Sequence, residues 1–238
     1  MESIKGKNIL IIGATGGIGQ SCAKLLNSSG ANLFLAARNK EKLLLLSEKI
    51  NLSPNKIFSV DISISEEVEK LKEHFFSQYE TIDIIINAAG IGIIKSTEEL
   101  TEVDFKKTID YNLLGPFLLM KSLLPKMKEL KKGLIINIPG ILGKVPMAGA
   151  AAYSASKYGL VGMMQSIREE IKKTEIRITN IFLGGVDTPF WDNIDLRVQR
   201  DKMVVAEEAA KSIWFLCQQP SSGVVSEMVI QPFNHQAI

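Results

Sequence analysis

The sequence has little cysteine and little histidine. Among 238 residues there are two of each, Cys22 and Cys217, and His74 and His235. The cysteines lie in apolar, helix-like stretches, which argues against a disulfide framework and fits a reducing compartment, so we expect a cytoplasmic protein with buried thiols. The histidines are far apart in the sequence, and a histidine-based metal site is not expected. We therefore predict no metal.

An excess of one charge and a long hydrophobic run are also missing. The chain has 28 Lys and Arg against 26 Asp and Glu, a net charge of +2. This balance gives no electrostatic reason to bind nucleic acid or a membrane surface. No apolar run is long enough to span a bilayer, and the N-terminal residues lead into a strand without a signal-peptide pattern. We expect neither nucleic acid nor membrane as a partner.

What the sequence does have is a regular alternation of short apolar runs and amphipathic stretches. Hydrophobic residues make up 46% of the chain, whose length suits one α/β domain with a substantial core. The runs are too short for buried helices and are rich in Ile, Leu, Val and Phe, which predicts strands. They are NILII from Asn8, NLFLA from Asn32, KIFSV from Lys56, IDIII from Ile82, LIINI from Leu134, RITNIF from Arg177 and EMVI from Glu227.

The alternation predicts an α/β fold with a doubly wound, mostly parallel seven-stranded sheet and helices on both faces. We expect a single domain over residues 1–238. The connection at about 184–203 contains Pro189, Phe190 and Trp191 and is interpreted as a substrate flap. Because parallel α/β sheets bind ligands at the carboxyl ends of their strands, the unusual residues that follow the predicted strands indicate a site at that edge.

A glycine-rich stretch, GATGGIG, follows the first predicted strand and opens a helix. Gly13 suits the tight turn, and Gly17 and Gly19 allow phosphate oxygens close to the backbone. The helix start supplies free N–H groups and the positive end of its dipole. We predict that this loop, including Thr15 and Ile18, binds the phosphates of a dinucleotide in a Rossmann-type domain. An ordinary glycine-rich turn is the alternative.

The end of the second predicted strand indicates which dinucleotide. A carboxylate there favours a free ribose 2′-hydroxyl, but Ala36 and Ala37 precede Arg38 instead. A guanidinium can pair with a 2′-phosphate and stack on adenine, so we predict NADP(H) rather than NAD(H). Asp61, after the third strand, is a candidate acceptor for the adenine amino group. The alternatives are a solvated helix-start arginine and a turn aspartate.

Tyr153 and Lys157 fall at i and i+4 of a helix predicted to begin near Ala151, so they share a face. A free phenol, with a pKa of about 10, is a poor acid at neutral pH. We expect the nearby ammonium to lower the pKa of Tyr153, so that the phenol can exchange a proton with an alkoxide. Such a pair is common by chance and gains meaning only beside a cofactor site.

Four motifs occur in order along the chain: GATGGIG, NAAG from Asn87, YNLLG from Tyr111 and YSASK from Tyr153. In this order and at these separations they resemble the short-chain dehydrogenase/reductases, over nearly the whole chain from about Lys7 to Ile230. The resemblance implies a dinucleotide-binding oxidoreductase domain that binds a nicotinamide cofactor and often pairs its long helices across a two-fold axis.

The resemblance also implies roles for individual residues. Tyr153 is the acid/base, Lys157 its partner and a ligand of the nicotinamide ribose, and Asn112 holds a water in a proton relay. Asn87 supports the central strand and the adjoining cofactor loop. The remaining cofactor residues implied are Ala88, Gly90, Val186 and Thr188, the last of them at the nicotinamide carboxamide.

Three positions depart from the family pattern. Ile12 replaces a usual Thr, and Gly184 replaces a usual Pro. Gly140, thirteen residues before Tyr153, stands where the family has a Ser that hydrogen-bonds the substrate oxygen. Loss of an oxyanion donor typically lowers a rate by roughly 10²–10³-fold, which weakens catalysis without abolishing it.

Two functions are therefore expected to compete. The first is an NADP(H)-dependent oxidoreductase that interconverts a carbonyl and an alcohol on a small molecule by hydride transfer. The second is an NADP(H)-binding protein with little turnover, such as a sensor. The helices around residues 112–127 and 151–171 carry more apolar residues than one buried face needs, which predicts a homodimer or homotetramer. A fully intramolecular core is the alternative.

Overall fold

The computed structural model describes residues 1–234, so His235 and the last residues of the predicted domain lie outside the described residues. The fold is built on nine strands, each followed by a helix or a short connection. They are β1 Asn8–Ile12, β2 Asn32–Ala37, β3 Ile57–Ser59, β4 Ile84–Asn87, β5 Lys132–Asn137, β6 Glu175–Leu183, β7 Val186–Asp187, β8 Val204–Val205 and β9 Glu227–Ile230.

Seven of these strands form one sheet in the order β3-β2-β1-β4-β5-β6-β9, and every strand pair in it is parallel. The order reverses between β1 and β4, where the chain crosses from one half of the sheet to the other. The predicted doubly wound, seven-stranded Rossmann-type sheet is confirmed. The strands β7 and β8 form a separate parallel pair beside it.

Helices cover both faces of the sheet. They are α1 Gly17–Ser28, α2 Lys40–Lys49, α3 Ser65–Gln78, α4 Glu102–Ile109, α5 Gly115–Leu130, α6 Ala151–Ile171 and α7 Ala206–Leu216. A π-helical turn, Asp110–Leu114, joins α4 to α5, and short 3₁₀ turns include Ile141–Gly143 after β5 and Pro189–Asn193 after β7.

The core follows from the period of two along each strand. In β1, Ile9 and Ile11 pack in one buried layer with α1, α2 and α7, whereas Leu10 and Ile12 pack in the other with α3, α5 and α6. Strands covered on both faces need apolar side chains at successive positions, which explains why they read as unbroken apolar runs. Cys22 and Cys217 are both buried in the first layer.

No helix within residues 1–234 is long and apolar enough to cross a membrane. Over the same residues, no group of three or more His, Cys, Asp or Glu side chains is placed to hold a metal ion.

Candidate active site

A cleft of about 900 Å³ opens at the carboxyl edge of the sheet. It runs from the end of β2 to the connection after β7, across the point where the strand order reverses. Most residues predicted to bind the cofactor line it: Gly13, Thr15, Gly17, Ile18, Gly19, Arg38, Ala88, Gly90, Tyr153, Lys157, Val186 and Thr188. Asp61, Asn87 and Asn112 lie behind this lining and contact residues of it.

The loop between β1 and α1 needs glycine because other backbone segments touch it. Gly13 has a φ of 77°, and a Cβ there would lie 2.7 Å from the Ala88 carbonyl carbon. A Cβ at Gly17 would lie 2.5 Å from Thr188 Cγ2, and one at Gly19 would collide with the Gly13 carbonyl oxygen. The loop therefore packs directly against the segments after β4 and β6, and leaves the start of α1 open to the cleft.

The far end of the cleft, beyond β2, is basic. Arg38, Lys42 and Lys49 line it together with Asn39, whose side chain accepts from the Lys42 backbone N–H and begins α2. Among the described residues that line the cleft, none is acidic. A highly charged anion is therefore favoured here, and nothing in the lining repels a phosphate at the end of β2.

Tyr111 connects Arg38 to Asp61, although the sequence did not single out this tyrosine. The Arg38 guanidinium lies over the Tyr111 ring, 4.5 Å from its centroid, and the Tyr111 hydroxyl donates to Asp61 Oδ2 at 2.6 Å. The Ser63 hydroxyl and backbone N–H donate to Asp61 Oδ1. Burial opposes ionisation, but the hydrogen bonds from Ser63 and Tyr111 outweigh it and keep the pKa of Asp61 below its ordinary value.

Asp61 therefore anchors Tyr111 with one oxygen and its own turn with the other. Its predicted contact with an adenine amino group stays a prediction, because both oxygens already accept hydrogen bonds from the chain. What these contacts do establish is a ring that supports the Arg38 guanidinium from one side.

The NAAG segment holds the centre of the cleft. Asn87 is buried, donates to Asn137 Oδ1 at 3.3 Å and accepts from the Ala89 backbone N–H. Ala88 N–H donates to the Ile12 carbonyl, which ties this loop to the end of β1. A Cβ at Gly90 would lie 3.1 Å from Asn112 Oδ1 and 3.2 Å from Lys157 Nζ. Gly90 thus lets the loop lie against both of these groups.

Asn112 is fully buried in the π-helical turn, and its amide is occupied by the chain itself. Its Oδ1 accepts from Ile91 N–H at 2.8 Å, and its Nδ2 donates to the Ile91 carbonyl and to Ser156 Oγ. The Ser156 hydroxyl in turn donates to the Tyr153 carbonyl at 2.7 Å. Ser156 is not among the predicted site residues, yet it joins the turn of Asn112 to the helix of Tyr153.

Tyr153 and Lys157 lie on the first two turns of α6, where Lys157 Nζ is 5.4 Å from the Tyr153 ring centroid. Nζ donates to the Ile138 carbonyl at 3.3 Å. Burial raises the pKa of Tyr153 to about 12 and lowers the pKa of Lys157 to about 8. The expected lowering of the phenol pKa is therefore wrong for the chain without ligand, because loss of solvent around the phenol disfavours its charged form.

Gly140, after β5, has a φ of 71° and a ψ of 173°, a conformation that residues with a Cβ rarely adopt. A Cβ there would meet only the Leu183 carbonyl oxygen, at 3.6 Å. Gly140 thus leaves open space in the lining of the cleft, and its neighbour Pro139 has no N–H to offer.

The connection after β6 closes over the cleft. Thr188 is buried, and Trp191 Nε1 donates to the Val186 carbonyl at 2.9 Å. The Phe190 ring lies 5.9 Å from the Tyr153 ring, centroid to centroid, and its far edge packs on Gly92, which has no room for a Cβ. Arg200 holds the connection from outside, as it contacts Asp187, Asp192 and the Thr188 carbonyl.

A glycine loop at a helix start, a basic end without carboxylates and a Tyr–Lys pair with a buried lysine on a doubly wound sheet define a dinucleotide-binding protein of the oxidoreductase class. Comparison with known proteins narrows this class. The sequence model of the short chain dehydrogenase family matches residues 7–199, and the chain belongs to the short-chain dehydrogenase/reductase family.

Its relatives match it end to end. The chain is 28% identical to an uncharacterized oxidoreductase of Staphylococcus epidermidis, over 98% of this chain and 100% of the relative. It is 30% identical to one from Staphylococcus saprophyticus, over 98% of both chains. Among solved structures, a metagenomic short-chain oxidoreductase in complex with NADP shares 28% identity at a TM-score of 0.83, over 98% of this chain and 100% of that one.

Proposed function

We propose that this protein is an NADP(H)-dependent oxidoreductase that interconverts a carbonyl and an alcohol on a small molecule. The observation that carries the proposal is the cleft itself, which joins the basic end around Arg38 to the Tyr153–Lys157 pair. A solved relative of 28% identity is a complex with NADP, which supports this cofactor. Residues 1–238 then serve as one catalytic domain, with residues 184–203 as its substrate flap.

The residues present fit this cofactor. Gly13, Gly17 and Gly19 would hold the pyrophosphate at the start of α1, and Arg38 and Lys42 the 2′-phosphate. Lys157 would hold the nicotinamide ribose, with Thr188 at the carboxamide. The cofactor supplies or accepts the hydride, and the chain binds it, orients it and handles the proton.

Tyr153 handles the proton at its phenol oxygen. Burial raises the pKa of Tyr153 to about 12 in the chain without ligand, so the phenol is protonated in the neutral range and depends on the Lys157 ammonium beside it to act as an acid toward a carbonyl oxygen. Proton transfer leaves a phenolate in a desolvated site, where the Lys157 ammonium stabilises it.

A second function, NADP(H) binding with little turnover, is favoured by Gly140, which offers no hydroxyl to the substrate oxygen. The Tyr153–Lys157 pair and the Asn112 turn support catalysis. Turnover decides between the two functions. Oxidation of NADPH by a panel of ketones and aldehydes, abolished in Tyr153→Phe while NADPH affinity is kept, supports the enzyme; NADPH binding without any turnover supports the sensor.

Cofactor choice is tested by fluorescence titration with NADPH and NADH. We expect NADPH to bind more tightly, and Arg38→Ala to weaken NADPH by at least 10-fold while it changes NADH little. Arg197→Ala, which removes an exposed guanidinium outside the cleft lining, is the control. Equal affinity of the wild-type chain for the two cofactors contradicts the assignment.

The protein is also proposed to act as a homodimer or homotetramer in the cytoplasm. Large apolar side chains are exposed on α4, the π-helical turn, α5 and α6, namely Val103, Phe105, Leu114, Phe117 and Tyr158, and we call this set the helical apolar face. An exposed apolar face of this kind indicates a protein interface. A second copy of the chain is the occupant that the family resemblance favours.

A further inference from the structure

We propose that the substrate is an uncharged carbonyl compound with apolar substituents. Compounds with a free carboxylate or phosphate group, and thioesters of phosphate-bearing carriers, are then poor substrates. The inference rests on the proposed function, because it names the substrate class of that same cleft. It comes from Tyr153, the Phe190 and Trp191 rings of the flap, and apolar residues that line the same cleft. We call this set the substrate end of the cleft: Ile91, Ile141, Leu142, Tyr153, Phe190 and Trp191.

The substrate end contains no cation to pair with an anionic substrate. Within residues 1–234, the charged residues that line the cleft are Arg38, Lys42 and Lys49 at the basic end, and Lys157. Lys157 Nζ lies against Gly90 and the Ile138 carbonyl, on the side assigned to the cofactor. An anionic substituent among Ile141, Leu142, Phe190 and Trp191 would therefore lie on apolar surface with no cation of the lining beside it except Lys157 across the Tyr153 ring, which disfavours it.

Basic side chains near this end are already committed to carboxylates. Lys144, three residues after Ile141, donates to Glu227 Oε2 at 2.6 Å and lies over the Phe182 ring. Arg200, behind the flap, is held by Asp187 and Asp192. Recruiting either cation for a substrate would break an existing ion pair.

Hydrogen-bonding groups are also scarce at the substrate end. The Trp191 indole N–H is used by the Val186 carbonyl, so this side chain offers its ring rather than a donor. Gly140 provides no hydroxyl and leaves an opening bounded by the Leu183 carbonyl. The Tyr153 hydroxyl remains for the reacting oxygen. A substrate with a single carbonyl and apolar substituents matches this set of groups, and the opening at Gly140 gives room for a bulky substituent.

The test compares substrates that differ only in charge. We would measure kcat/KM for NADPH oxidation with ethyl acetoacetate against acetoacetate, and with ethyl pyruvate against pyruvate. In each pair we expect the ester to exceed the acid by at least about 100-fold, because a carboxylate placed on apolar side chains without a cation beside it is disfavoured. An acid that is reduced as well as its ester overturns the inference.

A variant is expected to weaken the preference for the ester. Leu142→Arg introduces a cation at the substrate end and is expected to raise the acid-to-ester ratio of kcat/KM at least about 10-fold. Leu196→Arg, at an exposed flap position outside the cleft lining, is the control and is expected to leave the ratio unchanged. A ratio that Leu142→Arg does not change, in a variant with wild-type NADPH affinity, contradicts the assignment of this end.

Binding separates this inference from the proposed function. Quenching of tryptophan fluorescence by each ester and acid, in the presence of NADP⁺, gives a Kd that needs no turnover. Tighter binding of the esters supports the substrate class even if the proposed enzyme activity fails. Tighter binding of the acids overturns the class even if some ketone is reduced.

Discussion

Lys157 shows how a proposed catalytic residue lowers the stability of the free chain. Its side chain is 3% exposed, and burial lowers its pKa from 10.5 to about 8. The charged form is therefore disfavoured by folding at every pH below 8, by about 3 kcal/mol from the size of the shift. As the pH rises from 8 to 10.5, the folded chain has already lost this proton while the unfolded chain still binds it, so the penalty disappears.

We predict that Lys157→Met abolishes turnover and yet raises the free energy of unfolding at pH 7 by about 1–3 kcal/mol. The gain over wild type should shrink between pH 8 and pH 10. Denaturant unfolding without cofactor at several pH values measures it. Lys172→Met, at the exposed C-terminal end of the same helix, is the control and should show no such pH dependence. A Met variant less stable than wild type at pH 7 contradicts the prediction.

Gly140 leads to a second prediction at the same scale. Restoring the missing hydroxyl with Gly140→Ser should not restore the usual chemistry, since the backbone has φ of 71° and a Cβ lies 3.6 Å from the Leu183 carbonyl oxygen. The new hydroxyl is then within reach of that carbonyl rather than reserved for the substrate. We expect a loss of about 1–3 kcal/mol in unfolding free energy from backbone strain.

Gly140→Ala isolates the hydroxyl, because it carries the same strain without the oxygen. We expect kcat/KM of the Ser and Ala variants to agree within about threefold on a simple ketone. A Ser variant that exceeds the Ala variant by roughly 10²-fold would show that the site merely lacks a donor, and would refute the view that it is adapted to work without one.

Most residues of the candidate site could be predicted from the sequence, but the residues that hold them in place could not. Tyr153, Lys157, Arg38 and the glycine loop were selected by chemistry and by their place after strands, and the structure lines one cleft with them. Tyr111 escaped because its partner Asp61 lies 50 residues away in the chain. Contacts of this kind depend on the rotation of the helix about its axis and on the side-chain rotamer, which residue spacing does not encode.

The secondary structure elements show where periodicity is informative. Both β1 and β9 begin at the predicted residues, whereas β6 begins at Glu175, two residues before the predicted Arg177, because pairing with Lys132 extends the polar end of the strand. The two-residue strands β7 and β8 were not predicted. They are too short to carry a pattern, and they form only because the flap folds back on itself.

One side chain reinforces that fold-back beside the pairing of β7 with β8. Arg200 donates from Nε to Asp187, from Nη1 to Asp192 and from Nη2 to the Thr188 carbonyl, so it ties the two ends of the flap together. The same flap places Phe190 on Tyr153. Loss of Arg200 should therefore loosen the cover of the cleft without touching the reacting groups.

We predict that Arg200→Met raises KM for substrate and the Kd for NADPH by about 3–10-fold, with a smaller change in kcat, because positioning rather than proton transfer is impaired. Since these ion pairs are exposed, KM of the wild type should rise with added salt, and KM of the variant should rise less. Arg197→Met provides the matched arginine control. An Arg200 variant whose KM and salt response equal those of wild type shows that the contacts of Arg200 do not hold the flap.

At the scale of the whole molecule, the fold was predictable because one signal repeats seven times. Each apolar run buries both faces of a parallel strand, and each amphipathic stretch covers one face, so errors at individual ends do not change the architecture. The cleft is a consequence of this architecture, since all seven strands of the sheet end at the same edge. The repeated strand and helix pattern does not determine whether another chain covers the outer surface of the helices.

Part of the helical apolar face lies on elements that carry the proposed catalytic residues. The turn of Asn112 connects α4 to α5, and α6 carries Tyr153 and Lys157. Phe117 and Tyr158 are each 45% exposed there. On α6, Gly162 has nothing within 4 Å of an added Cβ, so the backbone of this face is open to close approach by another helix.

We therefore predict that light scattering at micromolar concentration gives the mass of two or four chains, and that Phe117→Asp at least halves this mass. Phe215→Asp is the matched control, because Phe215 is 44% exposed but lies on α7, away from this face, and its variant should not release monomers. A monomeric wild type refutes the assembly. If a second copy covers the face as proposed, loss of that copy in Phe117→Asp should also weaken NADPH binding. The turn of Asn112 and the helix of Lys157 then lose the support of the partner's helices.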